Sequence, residues 1–228
     1  MRPPGPLLAS GRWSDVYALD AHRVLRRRRE RAGHPDREAD VMRLARDGGV
    51  PVPAVLDVDG ADMVLERIHG PTMLADLRRR PWHAARHVRT LVDLHERVHA
   101  VTAPGSLRAI GAPGDRLLHL DLHPANVLLA GTGPVLVDWE GAARGAAATD
   151  LAQTYVLLLT AAFPAGAWAW PRPVERAGQG RLARRFRAAA GADALDAELP
   201  AVAARRLDDP AVGPGEARRL RRAGAVRR

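Results

Sequence analysis

The chain has 228 residues, 46% of them hydrophobic, enough for one large domain or for two lobes with a proper core. It contains no cysteine, which excludes disulfide bonds and thiol catalysis. A net charge of +9 would suit an acidic partner, but all 35 basic residues are arginine; that bias points to codon usage, and nucleic acid is not taken as an expected partner.

Residues 10–17 and 22–26 read as two strands joined by a turn, with a small-residue loop around Gly11 and Ser14 suited to lying over phosphates. The second strand runs into Arg26, Arg27, Arg28 and Arg29. Residues 35–45 read as a helix, because proline opens the first turn, acidic residues come early, and Gly48 and Gly49 stop it. Residues 54–58 and 63–68 form a hairpin about Asp59-Gly60, a type I′ turn signal. His69-Gly70-Pro71 then breaks the strand, and Thr72 caps a new helix.

From 82 to 102, Val88, Leu91, Val92, Leu94 and Val98 follow one helical face. The same helix holds His95-Glu96-Arg97-Val98-His99, the zinc-hydrolase pattern in which two histidines one turn apart bind zinc and the glutamate activates water. Such a match arises by chance in roughly one chain in a hundred of this composition. A zinc hydrolase is therefore kept only as a third reading.

Further on, 116–118, 127–129 and 134–137 are short apolar runs punctuated by Gly131 and Gly133, and they read as buried strands of a hairpin. The polar residues lie in the loops between them: His119-Leu120-Asp121-Leu122-His123-Pro124-Ala125-Asn126, then Asp138-Trp139-Glu140. An aspartate, an asparagine five residues on and a second aspartate twelve further are what phosphoryl transfer needs, a group to orient the attacking hydroxyl and oxygen ligands for magnesium. Asn126 is the only asparagine in the chain. In an extended segment His119, Asp121 and His123 would share one face, which makes a mononuclear metal site a competing use of the same residues.

These residues resemble the signature of the aminoglycoside phosphotransferase family, within the protein-kinase-like superfamily that also includes choline and homoserine kinases. The resemblance implies an α+β, two-lobed protein-kinase-like fold. A small N-terminal antiparallel sheet lobe, residues 1–68, would bind the nucleotide; a larger, mainly helical C-terminal lobe, residues 69–228, would hold the catalytic loop and the acceptor. Carried over by position, Asp121 is the catalytic base, His119 supports the loop backbone, Asn126 and Asp138 are magnesium ligands, and Asp150 with Leu151-Ala152 is a structural brace. Where a kinase places lysine on the phosphates, Arg26 is expected, with Arg27 and Arg28 as register alternatives, Glu38 as its partner and Ser14 in the loop above. Backbone groups of Glu66 to Ile68 are expected to meet the adenine. The family usually has glycine where this chain has Leu120, and a longer segment after Asp150.

The activity implied is magnesium-dependent transfer of the γ-phosphoryl of ATP or GTP to the hydroxyl of a small molecule. Residues 141–228 hold 15 arginines and 8 acidic residues, a balance of +7. A neutral or anionic acceptor is therefore expected in place of a polycationic aminoglycoside. The second reading is a noncatalytic, pseudokinase-like nucleotide-binding module, suggested by Leu120, by arginine at the lysine position and by the short second lobe. Residues 1–6 lack the apolar core of a signal peptide. Residues 155–170, interrupted by Pro164 and Gly166, fall short of the ~20 needed to span a bilayer and read as a buried helix. A cytoplasmic protein without a membrane span is expected, its oligomeric state open.

Overall fold

The computed structural model describes residues 5–11, 13–29, 35–160, 172–210 and 212–224. Strands β1 (Leu7–Ser10), β2 (Ser14–Ala18) and β3 (Arg23–Arg28) come first. The chain reverses between β2 and β3 because the Asp20 carboxylate accepts the backbone N–H groups of His22 and Arg23, both at 2.8 Å. Helix α1 (Pro35–Asp47) follows, then β4 (Val55–Asp59) and β5 (Asp62–Glu66). The five strands form one sheet in the order β1-β2-β3-β5-β4, antiparallel at every pairing.

Ala39, Val41, Met42 and Ala45, at helical spacing, turn one face of α1 into the core that also holds Val24, Met63 and Leu65 of the sheet. Each large side chain buried this way is worth about 1.5–3 kcal/mol. The β4–β5 turn differs from the type I′ expected. Gly60 has φ 59° but Ala61 has no positive φ, so glycine at the first central position gives the II′ arrangement.

Beyond the sheet the chain passes under a second hairpin at Gly70, where a Cβ would lie 2.1 Å from the Leu129 carbonyl oxygen. Only glycine fits that approach. Helix α2 (Met73–Arg79) starts at Thr72, whose hydroxyl accepts the Ala75 N–H at 3.1 Å. A 3₁₀ turn (Pro81–His83) leads into α3 (Ala84–Ala100), which buries His87, Val88, Leu91, Leu94, His95 and Val98 along one face.

Next come β6 (Arg116–Leu118), a 3₁₀ turn (Pro124–Asn126), β7 (Val127–Ala130), β8 (Gly133–Leu136) and β9 (Ala143–Gly145). β7 and β8 form the hairpin expected. The run at 116–118 does not join it: β6 pairs with β9, a three-residue strand that carried no sequence signal of its own. Helices α4 (Ala147–Thr160), α5 (Arg172–Ala190), α6 (Ala192–Leu207) and α7 (Pro214–Gly224) complete the chain, with α4 packed on the other three. Leu117, Leu122, Leu136, Val156, Phe186, Leu195 and Leu220 meet in the interior. A small antiparallel sheet followed by a mainly helical part is the α+β organisation expected.

The buried helix read over 155–170 is present as the end of α4, to Thr160; residues 161–171 lie outside the described residues. Among the described residues no helix is long and apolar enough to cross a membrane.

Candidate functional site

The loop after β6 is organised from beneath by two buried side chains. Asp150, fully buried near the start of α4, accepts the backbone N–H groups of His119 at 3.0 Å and Leu120 at 2.7 Å, and the His99 Nε2–H at 3.0 Å. Burial would raise its pKa, but the bond from His99, the nearby imidazoles and the backbone donors outweigh that and hold the carboxyl below its usual range. His119, also fully buried, accepts the Asp121 N–H on Nδ1 and donates from Nε2 to the Val137 carbonyl, both at 3.2 Å. Those two bonds require the neutral imidazole, and burial pushes its pKa down accordingly. Its ring meets Trp139 edge-on, with centroids 4.6 Å apart.

Between these anchors Leu120 is forced to φ 64°, in the left-handed region. Such strain persists only where the surroundings over-determine it, here through the Leu120 N–H on Asp150. The chain then presents Asp121. Asn126 reaches back from the 3₁₀ turn, its Nδ2 donating to the Asp121 carbonyl at 2.9 Å and to Asp121 Oδ2 at 2.8 Å. Desolvation works to raise the Asp121 pKa, but His123, His119 and the Asn126 amide pull it below the ordinary value. At neutral pH it is a carboxylate.

Asp138 ends the stretch that follows β8 and has φ 69°. Its Oδ1 lies 3.1 Å from Arg26 Nη2. Arg26, on β3, also donates to Ser14 Oγ at 3.0 Å, binds the Glu38 carboxylate of α1 and lies 3.5 Å from Glu140. Desolvation would lower the Arg26 pKa, but Glu38, Asp138 and Glu140 overcome it and hold the guanidinium charged. Burial pushes Glu38 upward, with Arg26 pulling the other way.

The predicted residues thus fall into two linked groups. Ser14, Arg26, Glu38 and Asp138 meet around one guanidinium, while His119, Asp121 and Asn126 share one loop. Of the register alternatives, Arg27 points elsewhere, making a paired contact with Asp62 at 2.7 Å, while Arg28 lies on the same face as Arg26 and binds Glu140 at 2.6 Å. Glu66 turns its side chain to the Ala54 N–H at 3.0 Å, on the β4 side, and its own N–H donates to the Ala54 carbonyl at 2.9 Å. Sequence reading quoted Glu140 without giving it a task. The alternation of Arg26 and Arg28 on one face of β3 was the available signal that both would reach it.

The zinc-hydrolase reading fails on geometry. Glu96 is exposed to solvent. His95 is buried with Nδ1 on the Leu91 carbonyl at 2.8 Å and Nε2 on the Thr154 hydroxyl at 3.0 Å, and His99 is committed to Asp150. A helix spacing of four residues put the two rings side by side, 5.4 Å apart, but as packing. Nor do His119, Asp121 and His123 form a metal face, since the His119 ring is turned inward to Val137 and Trp139.

The model of the phosphotransferase enzyme family matches residues 103–195, the segment holding both loops and Asp150. A search among curated proteins found no match. Among solved structures, aminoglycoside phosphotransferase APH(4)-Ia is similar at 17% identity over 96% of this chain and 93% of that one, with a TM-score of 0.65. The ADP-bound aminoglycoside phosphotransferase APH(2'')-Ib is similar at 11% identity, covering 88% and 81%, with a TM-score of 0.63. A choline/ethanolamine kinase family protein from Mesorhizobium loti is similar at 22% identity, covering 89% and 75%, with a TM-score of 0.53.

The fold, an N-terminal antiparallel sheet followed by a mainly helical part, matches that of the aminoglycoside phosphotransferase structures. The family model's match over residues 103–195 and the shared fold are both in line with the resemblance read from the motif. Together these findings support a kinase-type phosphotransfer activity.

Proposed function

We propose that the protein transfers the γ-phosphoryl group of ATP or GTP to a hydroxyl of a small molecule, with magnesium. The observation that carries this reading is the meeting of Arg26, Glu38 and Asp138, drawn from β3, α1 and the stretch after β8, beside a loop in which Asn126 bonds Asp121. Solved structures with this fold include complexes of APH(4)-Ia with AMP-PNP and hygromycin B, and with ADP and hygromycin B. Residues 1–68 are proposed as the nucleotide lobe and 69–228 as the catalytic and acceptor lobe. A cytoplasmic setting, where nucleotide is supplied, belongs to the same reading.

In this mechanism the Asp121 carboxylate orients the acceptor hydroxyl and takes its proton as the oxygen–phosphorus bond forms and the bond to the β-phosphate oxygen breaks, releasing the nucleoside diphosphate. Arg26 offsets phosphate charge, its rotamer set by Glu38 and Ser14. The backbone between Glu66 and Ile68 takes the adenine edge. The oxygen donors of Asn126 and Asp138 suit a hard cation, and magnesium held there would neutralise charge on the transferring group.

The acceptor is proposed to be neutral or anionic. The balance of +7 over residues 141–228 supports this. A polycationic aminoglycoside would meet repulsion there.

A second reading, a noncatalytic nucleotide-binding module, is favoured by one observation: Arg26 lies on Asp138 as well as on Glu38, at the place a metal would compete for. Measuring nucleotide consumption by wild type and Asp121→Asn against a panel of neutral and anionic alcohols decides between the two. Acceptor-dependent turnover lost in the variant supports the transferase, and nucleotide binding without turnover on any acceptor supports the module.

A further inference from the structure

Away from the site above, one cluster among the described residues brings three metal-ligating side chains together. Asp76 lies on α2, His83 on the 3₁₀ turn after it and His87 in the first turn of α3. His83 Nδ1 and His87 Nε2 each lie 2.7 Å from the same carboxylate oxygen, Asp76 Oδ2, and the three ligand atoms fall within 4.8 Å of one another. Asp76 and His87 are buried, whereas the His83 side chain is 27% exposed and leaves a solvent-facing side to the cluster.

We propose that Asp76, His83 and His87 form a binding site for a zinc-type divalent cation, with water as the fourth ligand. Two imidazole nitrogens and one carboxylate oxygen are a donor set that borderline cations prefer and that magnesium does not. Ligand atoms around a tetrahedral ion at ~2.0–2.1 Å stand ~3.3 Å apart, so Asp76 Oδ2 has to withdraw by roughly half an ångström from each ring. The proton balance is simple. In the empty cluster each imidazole turns an N–H toward Asp76 Oδ2; on binding, the proton of His83 moves to Nε2 and that of His87 to Nδ1, and none is released.

Both Asp76 oxygens face hydrogen-bond donors, His83 and His87 on Oδ2 and Arg80 on Oδ1, an environment that favours the carboxylate form. One group opposes a cation. Arg80 Nη1 lies 3.1 Å from the other oxygen, Asp76 Oδ1, on a side chain that is 58% exposed and able to swing away. Its charge weakens metal binding while its hydrogen bond supports the empty cluster, so its removal separates a metal site from a purely structural hydrogen-bond network.

The site has a consequence for the rest of the molecule. Thr72, the N-cap of α2, bridges to Leu128, and α2 packs against the Pro124–Asn126 turn. An ion joining α2 to α3 braces the wall behind Asn126.

The test is calorimetric titration of the chelator-treated full chain with zinc chloride, run on wild type, His83→Ala and Arg80→Ala, with thermal melts alongside. The proposal expects one zinc per chain, at least ~10-fold weaker binding in His83→Ala, about threefold tighter binding in Arg80→Ala, and no competition by magnesium. Absence of saturable binding, unchanged affinity in His83→Ala, or weaker binding in Arg80→Ala overturns it. Circular dichroism checks folding, and His83→Gln replaces His83→Ala if that variant unfolds.

Discussion

The Glu38 carboxylate accepts the backbone N–H of Trp139 at 3.2 Å, tying the first helix to a segment 101 residues further along the chain. The same oxygen receives the Arg26 guanidinium, which in turn reaches Asp138. Asp138, at φ 69°, is therefore held from both sides by groups anchored on one buried glutamate. A charge pair that serves an electrostatic task is here also the joint between the sheet and the loop after β8.

Removing one member of that pair should cost more than removing its charge balance. Arg26→Ala leaves Glu38, whose side chain is 4% exposed, as an uncompensated buried carboxylate, and a loss of about 3–5 kcal/mol is expected. Arg26→Ala combined with Glu38→Gln should recover much of it, because a neutral amide oxygen still accepts the Trp139 N–H. Urea unfolding of the two variants checks the order; equal stability of both would contradict it.

Asp150→Asn is expected to destabilise by about 2–3 kcal/mol, since two backbone N–H groups and the His99 ring lose a charged acceptor. The left-handed Leu120 is then no longer over-determined, so turnover should fall further than the change in stability accounts for. Chemical denaturation and kcat on the same preparations separate the two effects.

Stability should decline on mild acidification. His95, buried without room for charge, is held at about 4 against an ordinary 6.5, chiefly by desolvation. The unfolded chain takes up this proton near 6.5 and the folded chain only near 4, so the contribution is whole above pH 6.5 and is lost as pH falls to 4. The full loss is about 3 kcal/mol. His119 acts in the same direction, and Asp150, whose pKa is lowered, adds a further loss at lower pH. Unfolding free energies at pH 7, 5.5 and 4.5 should fall steadily in wild type and less steeply in His95→Leu. A flat profile would sink the argument.

Asp121→Asn should lower kcat by about 10²–10⁴ while nucleotide binding stays near wild type, because the variant loses the proton acceptor and keeps the loop's shape. Isothermal titration with nucleotide beside a turnover assay tests it, and a parallel loss of binding would mean the residue is structural.

What the sequence could show depended on how local each signal was. The helical face of α3, the cap at Thr72 and the proline that opens α1 are written within a few residues, and both polar loops are named by spacing alone. β1 escaped because all four of its residues are exposed and show no alternation, and β9 because three residues have no pattern until β6 pairs with them. The histidines at 95 and 99 show the opposite failure: their spacing suggested a metal, while the partners that bind them, Thr154 and Asp150, lie more than fifty residues away. Leu120 looked like a departure from pattern. Its positive φ gives the physical reason a glycine would suit that position and makes clear that Asp150 carries the conformation here.

The most direct measurement is the thermal stability of wild type and Asp138→Ala with ATP or GTP, with and without magnesium. A nucleotide-dependent stabilisation that needs magnesium and disappears in Asp138→Ala is the result predicted. The same stabilisation in wild type and variant, or none with any nucleotide, would contradict the assignment of Arg26, Asn126 and Asp138 to a nucleotide–magnesium site.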